Sequence, residues 1–229
     1  MHKQRRPYNG SMNTSLFDHS DSESVVWIEY PAADVCLIHG GALSLASSLW
    51  EQVQNISRHA PFRHMQTPSG KNMRVANTSC GRYGWISDRS GYRYAETDPL
   101  TGESWPAMPA EFLSCAQSAA TQAGYPLFEP DSCLINRYVE KTSLSLHQDK
   151  DEQDFMQPIV SVSLGMPAVF LFRGMSRNSP TIKLLLEHGD VLVWGGSARL
   201  NFHGVQAMKH YPHPALGEQR INLTFRRAR

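Results

Sequence analysis

The sequence predicts a mainly β, α+β fold: an antiparallel double-stranded β-helix, or jelly roll, with helices on one face. Three observations carry the prediction. Short runs of β-formers, broken by Gly and Pro turns, follow one another closely from Cys133 to the C-terminus. Helical periodicity is confined to two stretches in the first half. The last run, 220–226, alternates between an apolar and a polar face. The 229 residues, 41% hydrophobic and 19% charged, suit one domain with a substantial core.

Composition also excludes several classes. Lys+Arg 22 against Asp+Glu 21 gives a net charge of +1, so any nucleic-acid surface has to be local. Cys36, Cys80, Cys115 and Cys133 form no C-x-x-C, which argues against a zinc ribbon or a thioredoxin-like site and for reduced thiols in the cytoplasm. No run approaches the ~18 apolar residues of a membrane helix, and the N-terminus lacks a signal-peptide core. The expectation is a cytoplasmic protein with no membrane partner. Asn77-Thr78-Ser79 and Asn222-Leu223-Thr224 fit the glycosylation pattern, which carries no weight in a chain that is not secreted.

Taken in order, residues 1–23 are polar, with Lys3, Arg5 and Arg6 ahead of a Ser/Asn/Asp-rich stretch, and read as a disordered tail. Residues 24–229 then form a single domain. Val25, Val26 and Ile28, followed by Val35, Leu37 and Ile38, predict two short strands around Pro31. Leu45, Leu49, Val53 and Ile56 recur at helical spacing, and this helix stops near 59–61. In 62–106 Gly, Pro and Arg interleave with Trp85, Tyr92 and Tyr94. Such a mixture suits a base-stacking surface with phosphate contacts, or equally a set of hairpins whose aromatics simply pack. Pro109, Phe112, Leu113, Ala116, Ala120 and Ala123 give a second helix, closed by Gly124. Strands follow at 133–138, 144–146, 159–164, 168–172, 181–187, 191–194 and 221–225. The turn 188–190 reads as a tight hairpin between the fifth and sixth of these.

The chemistry gathers where a strand ends: Leu144-Ser145-Leu146-His147-Gln148-Asp149. In extended chain, residues i and i+2 share a face, so His147 and Asp149 can reach one metal ion together. His-x-Asp alone is a weak signal. His203, after another strand-like run, supplies a third ligand, and two histidines with one carboxylate form the facial triad that leaves three positions open on Fe(II). On the last strand Ile221, Leu223 and Phe225 point one way, and Arg220, Asn222, Thr224 and Arg226 the other. The polar set is either an exposed edge or, inside a barrel, a pocket for a dicarboxylate, because an arginine fork fits a carboxylate in bidentate fashion.

The ordered set Asn136-Arg137-Tyr138, His147-Gln148-Asp149, His203 and 220–226 resembles the AlkB family of Fe(II)- and 2-oxoglutarate-dependent nucleic-acid dealkylases, from about Ser57 to Arg226. The resemblance implies that His147, Asp149 and His203 bind Fe(II). It implies that Arg220 pairs with the distal carboxylate of 2-oxoglutarate, with Asn136, Tyr138, Asn222 and Arg226 completing that pocket. Trp85 matches the aromatic that stacks on the damaged base, opposite His147. Asp151 matches a carboxylate facing the exocyclic nitrogen of a cationic lesion, and Tyr92, Tyr94 and Arg177 match substrate-strand contacts. On residues alone, Asp151 and Glu152 are solvated loop carboxylates. The chain departs from the family's common Pro and Gly at Val139-Glu140-Lys141-Thr142, which bears on that turn and not on the ligands.

The implied architecture is a nucleotide-recognition lid at 62–106 over a catalytic core at 131–229. The implied reaction is oxidative demethylation of N1-methyladenine and N3-methylcytosine in single- or double-stranded DNA, and in RNA, by a monomer. It consumes O2 and 2-oxoglutarate and releases formaldehyde. Two competitors remain at this level: a 2-oxoglutarate oxygenase of small molecules or proteins, and a non-catalytic cupin-like binding module.

Overall fold

Local preference sets the elements, and two sheets then decide where each one goes. The computed structural model describes residues 26–176 and 178–229. The expected tail at 1–23 and Arg177 lie outside the described residues. Strands β1 (Trp27–Ala32) and β2 (Val35–His39) pair antiparallel. Pro31 falls inside β1 rather than between two strands. It is tolerated because β1 is an edge strand, and the register shifts between Glu29 and Ala32. Helix α1 (Ala46–His59) buries Ala46, Leu49, Val53 and Ile56 and carries Arg58 and His59 in its last turn. Burying each of the three larger side chains is worth about 1.5–3 kcal/mol, and cations there complement the negative end of the helix dipole.

β3 (Ala76–Gly81), β4 (Gly84–Asp88) and β5 (Gly91–Ala95) follow. Helix α2 (Ala110–Gln122) starts after Pro109, and Gly124 stands just beyond its end at φ +92°, a conformation that favours glycine. The remaining strands are β6 (Ser132–Tyr138), β7 (Leu144–His147), β8 (Ile159–Gly165), β9 (Ala168–Arg173), β10 (Thr181–Leu186), β11 (Val191–Trp194), β12 (Phe202–Val205) and β13 (Arg220–Arg226).

The strands assemble into a seven-stranded sheet in the order β1-β2-β11-β8-β13-β6-β3, a four-stranded sheet in the order β10-β9-β12-β7, and a separate β4-β5 hairpin. The pairings are antiparallel, as a jelly roll requires. Alternation sorts the large sheet's side chains. Cys36, Ile38, Val160, Val162, Ile221, Leu223 and Phe225 pack on the helices with Leu49, Phe112 and Ala116. Val35, Leu37, Ile159, Leu192 and Trp194 pack on Phe170, Phe172, Leu184 and Val205 of the small sheet.

The expectation for the link between β10 and β11 also fails. The turn 188–190 does not close a hairpin. β10 pairs with β9 in the small sheet, whereas β11 pairs with β2 and β8 in the large one. The turn therefore carries the chain from one sheet to the other. Asp190 ties it down by accepting hydrogen bonds from the backbone N–H of Gly40 and of Glu187, at 2.9 and 2.8 Å. A short turn between two apolar runs looks the same in sequence whether or not the runs pair. The unusual turn after β6 also forms: Lys141 takes φ +65°, and Thr142 hydrogen-bonds Val139 through both its N–H and its hydroxyl.

Candidate metal centre and cosubstrate cavity

Strand register brings the two histidines together. β12 pairs with β7 so that His203 lies directly opposite His147, and their ring centroids are 4.4 Å apart. The approach is close: a Cβ on Gly204 would stand 2.6 Å from the carbonyl oxygen of Leu144, so no side chain fits at that position. The register shifts between this pair and Val205–Leu144, a bulge next to the site.

The imidazoles are aimed. Nδ1 of His147 lies 2.9 Å from the Ser145 carbonyl, and Nδ1 of His203 lies 3.1 Å from the Asn201 carbonyl. A carbonyl only accepts, so both Nδ1 atoms donate there, and Nε2 is the atom each ring can offer to a metal. These Nε2 atoms stand 3.5 and 3.6 Å from the two oxygens of Asp149. Ligand atoms of all three residues lie within 4.8 Å of one another. Backbone carbonyls that fix the histidine tautomer are a common feature of metal sites.

Electrostatics keeps the carboxylate charged. Burial alone would raise the Asp149 pKa, but Arg226, His203 and His147 hold it well below the usual carboxylate range. Burial and the neighbouring His147 push His203 down, so it stays neutral and able to ligate. For His147 burial works in the same direction, but its contacts with Asp149 outweigh it and raise the pKa.

The triad lines a cavity of about 760 Å³. Asn136, Tyr138, Arg220, Asn222 and Arg226 line it too, so the polar face of β13 points between the sheets and is not an exposed edge. Arg220 is 1% exposed. Its Nη2 donates to Ser163 Oγ at 2.8 Å, and its guanidinium sits 5.4 Å from the Tyr138 ring centroid. Among the described residues its Nε and Nη1 have no hydrogen-bond partner. Burial lowers its pKa, opposed by Tyr138 and Asp190. A buried cation with two unused donors, facing a cavity that also holds the triad, is what a dicarboxylate chelating a metal at its other end requires. The donor set thus fits Fe(II) and the orphaned guanidinium fits 2-oxoglutarate.

Comparisons with known proteins agree with this geometry. The family model described as the 2OG-Fe(II) oxygenase superfamily matches residues 35–226. The chain is 52% identical over 202 residues to the alpha-ketoglutarate-dependent dioxygenase AlkB of Escherichia coli (strain K12), covering 88% of this chain and 94% of that one. This chain belongs to the AlkB family of 2OG-Fe(II) oxygenases. A more distant relative is the DNA N(6)-methyladenine demethylase ALKBH1C of Arabidopsis thaliana, 37% identical over 160 residues, 58% of this chain and 35% of that one. The solved structure of OsALKBH1 superposes with a TM-score of 0.76 at 28% identity, covering 87% of this chain and 99% of that one.

Placed on this AlkB-family scaffold, the remaining candidates divide. Trp85, Tyr92 and Asp151 line the cavity. Trp85 stacks on Tyr92 with centroids 5.6 Å apart, and its indole Nε1 donates to Asp151 Oδ2 at 2.8 Å, so Asp151 is no free loop carboxylate. Tyr94 differs from its expectation. It is 7% exposed, does not line the cavity, and donates its hydroxyl to Glu152 at 2.6 Å. The even spacing Tyr92-Arg93-Tyr94 puts the two tyrosines on one strand face, but their depth differs. Arg177 lies outside the described residues.

Sequence reasoning passed over Asn77, Ser163 and Arg199, and it took Glu152 for a solvated loop carboxylate, whereas Glu152 is buried between Tyr94 and Arg199. Asn77, Asn136, Asn222 and Ser163 are register partners across four adjacent strands. Asn77 Nδ2 donates to Asn136 Oδ1 at 2.6 Å, and Asn222 Nδ2 donates to Ser161 Oγ at 2.8 Å. Both glycosylation-like asparagines are therefore buried parts of the cavity wall, 1% and 7% exposed. The local hint is a run of three polar residues, Asn77, Thr78 and Ser79, all buried in the middle of β3.

Proposed function

We propose that the protein is an Fe(II)- and 2-oxoglutarate-dependent dioxygenase that oxidatively demethylates alkylated nucleobases, N1-methyladenine and N3-methylcytosine, in DNA and in RNA. One observation carries the substrate class. The cavity that holds the His147, Asp149 and His203 triad and the unpaired Arg220 also has the stacked Trp85–Tyr92 pair and a carboxylate, Asp151, in its wall. The relatives' printed activities point the same way: dioxygenase for the Escherichia coli protein and DNA demethylase for the Arabidopsis thaliana one.

His147, Asp149 and His203 would hold Fe(II), and Arg220 would take the distal carboxylate of 2-oxoglutarate, with Asn136, Tyr138, Asn222 and Arg226 forming the surrounding wall. When bound, iron and 2-oxoglutarate with O2 supply oxidation of an N-methyl group, whose hydroxymethyl product releases formaldehyde. The chain's own groups bind and orient. Trp85 offers a π-face to an extruded base, with His147 on the other side, and the target atom sits on the pairing edge, so the base must leave the stack. Asp151 accepts from the exocyclic nitrogen and favours a cationic lesion by charge-assisted hydrogen bonding. In that event the Trp85 indole gives up its bond to Asp151 or shares it. Tyr92 and Arg177 contact the flanking strand. The β4-β5 hairpin belongs to a nucleotide-recognition lid at 62–106 over a core at 131–229, within one domain at 24–229, and the enzyme acts as a monomer.

The four cysteines are free and buried, which supports a reducing cytoplasmic location. No helix among the described residues is long and apolar enough to cross a membrane.

The test is anaerobic iron loading followed by 2-oxoglutarate, ascorbate, air and oligonucleotides carrying each methylated base. Formaldehyde and the unmodified base should appear together. An iron-loaded enzyme that consumes 2-oxoglutarate but releases no formaldehyde from any methylated oligonucleotide would sink the nucleobase reading.

A further inference from the structure

Glu152 is a buried carboxylate with three polar neighbours and no place in the triad. Its Oε1 accepts the Tyr94 hydroxyl at 2.6 Å and lies 3.3 Å from Arg226 Nε. Its Oε2 accepts from Arg199 Nη2 at 3.1 Å. Arg199, 2% exposed, turns its other nitrogens to backbone: Nη1 donates to the Asp149 carbonyl at 2.8 Å and Nε to the Gln157 carbonyl at 3.0 Å. Arg226 closes the circuit. Its Nε donates to Asp149 Oδ2 at 2.9 Å, and its Nη2 donates to the same oxygen. The path from the Asp149 carboxylate through Arg226, Glu152 and Arg199 thus returns to the carbonyl of Asp149 itself. Asp149 is gripped at its side chain and at its backbone by one buried network, in which two cations balance two carboxylates.

The β4-β5 hairpin enters this network through a single rung. Trp85 and Tyr94 are register partners. Trp85 bonds Asp151 and Tyr94 bonds Glu152, two successive residues just beyond Asp149. The hairpin is a separate two-stranded sheet, so these side-chain bonds are a principal tie between it and the metal-ligand segment.

We propose that Glu152 and Arg199 are positioning residues that lock Asp149 in its ligating geometry and, through Tyr94, couple seating of the β4-β5 hairpin to the metal centre. The proposal rests on the reading of Asp149 as a metal ligand. A hairpin seated on Tyr94 and Trp85 holds Glu152, Glu152 orients Arg226, and Arg226 orients the carboxylate. A hairpin that lifts releases the same chain of bonds. Metal binding and hairpin order then favour each other reciprocally. The purely structural alternative is a balanced charge cluster that stabilises the fold and leaves the metal indifferent.

Co(II) separates the two, because its ligand-field spectrum reports coordination geometry without turnover. The full chain is titrated anaerobically with Co(II) as wild type, Tyr94→Phe and Glu152→Gln, and hydrogen exchange of amides 84–95 is followed with and without the metal. Tyr94→Phe removes one oxygen and keeps the ring, so it folds even if Glu152→Gln does not. The expected result is a Co(II) affinity weakened roughly tenfold or more in both variants, an altered spectrum, and hairpin exchange that Co(II) slows in wild type but not in either variant. Wild-type affinity, spectrum and metal-dependent protection in Tyr94→Phe, alongside a lowered melting temperature, would overturn the proposal and leave the network structural. A wild-type chain with no Co(II) spectrum would instead sink the metal-centre reading, and the proposal with it.

Discussion

Two arginines stand on the same face of β13, one near each end, and they are built in opposite ways. Arg220 and Arg226 are 1% and 5% exposed. Arg226 is surrounded by carboxylates: it bonds Asp149 and lies 3.3 Å from Glu152. Burial would weaken its hold on the proton, but Asp149, Tyr94 and Glu152 outweigh burial and raise its pKa. Arg220 makes one hydrogen bond, to a serine hydroxyl, and leaves two nitrogens unused. Its pKa is lowered by burial. The same residue type on the same strand face is at one end an internal counter-ion and at the other a charge waiting for one. A folded protein retains an uncompensated buried cation at a cost, and a ligand anion is the physical reason to retain it.

Substituting each arginine should expose this asymmetry. The largest effect is expected from Arg226→Met, which strips the buried Asp149 of its guanidinium and leaves Glu152 with Arg199 alone. Unfolding by urea should show about 3–5 kcal/mol lost, with Co(II) binding lost as well. Arg220→Met should leave the metal-free protein as stable as wild type or slightly more so. Its 2-oxoglutarate affinity, read by calorimetry, should fall at least ~100-fold, which is about 2.7 kcal/mol; a stability loss like that of Arg226→Met would erase the distinction. Trp85→Ala, far from either arginine's role, should weaken binding of a methylated oligonucleotide by roughly 1–3 kcal/mol with 2-oxoglutarate binding intact. Equal loss of both ligands would make Trp85 structural.

The smallest effect is a pH dependence at the Arg220 end. Gly165 is the register partner of Arg220, and its N–H donates to His188 Nδ1 at 2.9 Å. Burial, and then the His213 stacked on it with centroids 4.1 Å apart, push the His188 pKa below 6.5. The fold therefore prefers neutral His188. That contribution is complete above about pH 6.5, the unfolded value, and is lost as pH falls below it. Melting temperature should decline modestly from pH 6.5 to 5, and His188→Gln should flatten that decline.

Much of this was legible beforehand, for local reasons. A two-residue period assigns faces without knowledge of any partner, so the split of β13 into Ile221, Leu223 and Phe225 against Arg220, Asn222, Thr224 and Arg226 survives intact in the structure. His147 and Asp149 share a face for the same reason. The helices were readable because Leu49, Val53 and Ile56 on one, and Phe112 and Ala116 on the other, repeat at helical spacing.

What failed to read was pairing. β10 and β11 are adjacent in sequence and lie in different sheets; Tyr92 and Tyr94 alternate identically, yet one lines the cavity and the other is buried on Glu152. Asn77 offered only a glycosylation-like pattern that carries no weight, and its place in the cavity wall emerged when β3 paired with β6. By itself the sequence determined element type, strand faces and the shared face of His147 and Asp149, because these follow from backbone geometry over a few residues. Only the tertiary structure decided that Arg220 is left unpaired while Arg226 is neutralised, and that Glu152 and Arg199 close around Asp149. Those facts depend on which distant strands and loops share a low-dielectric interior, and no local period encodes that.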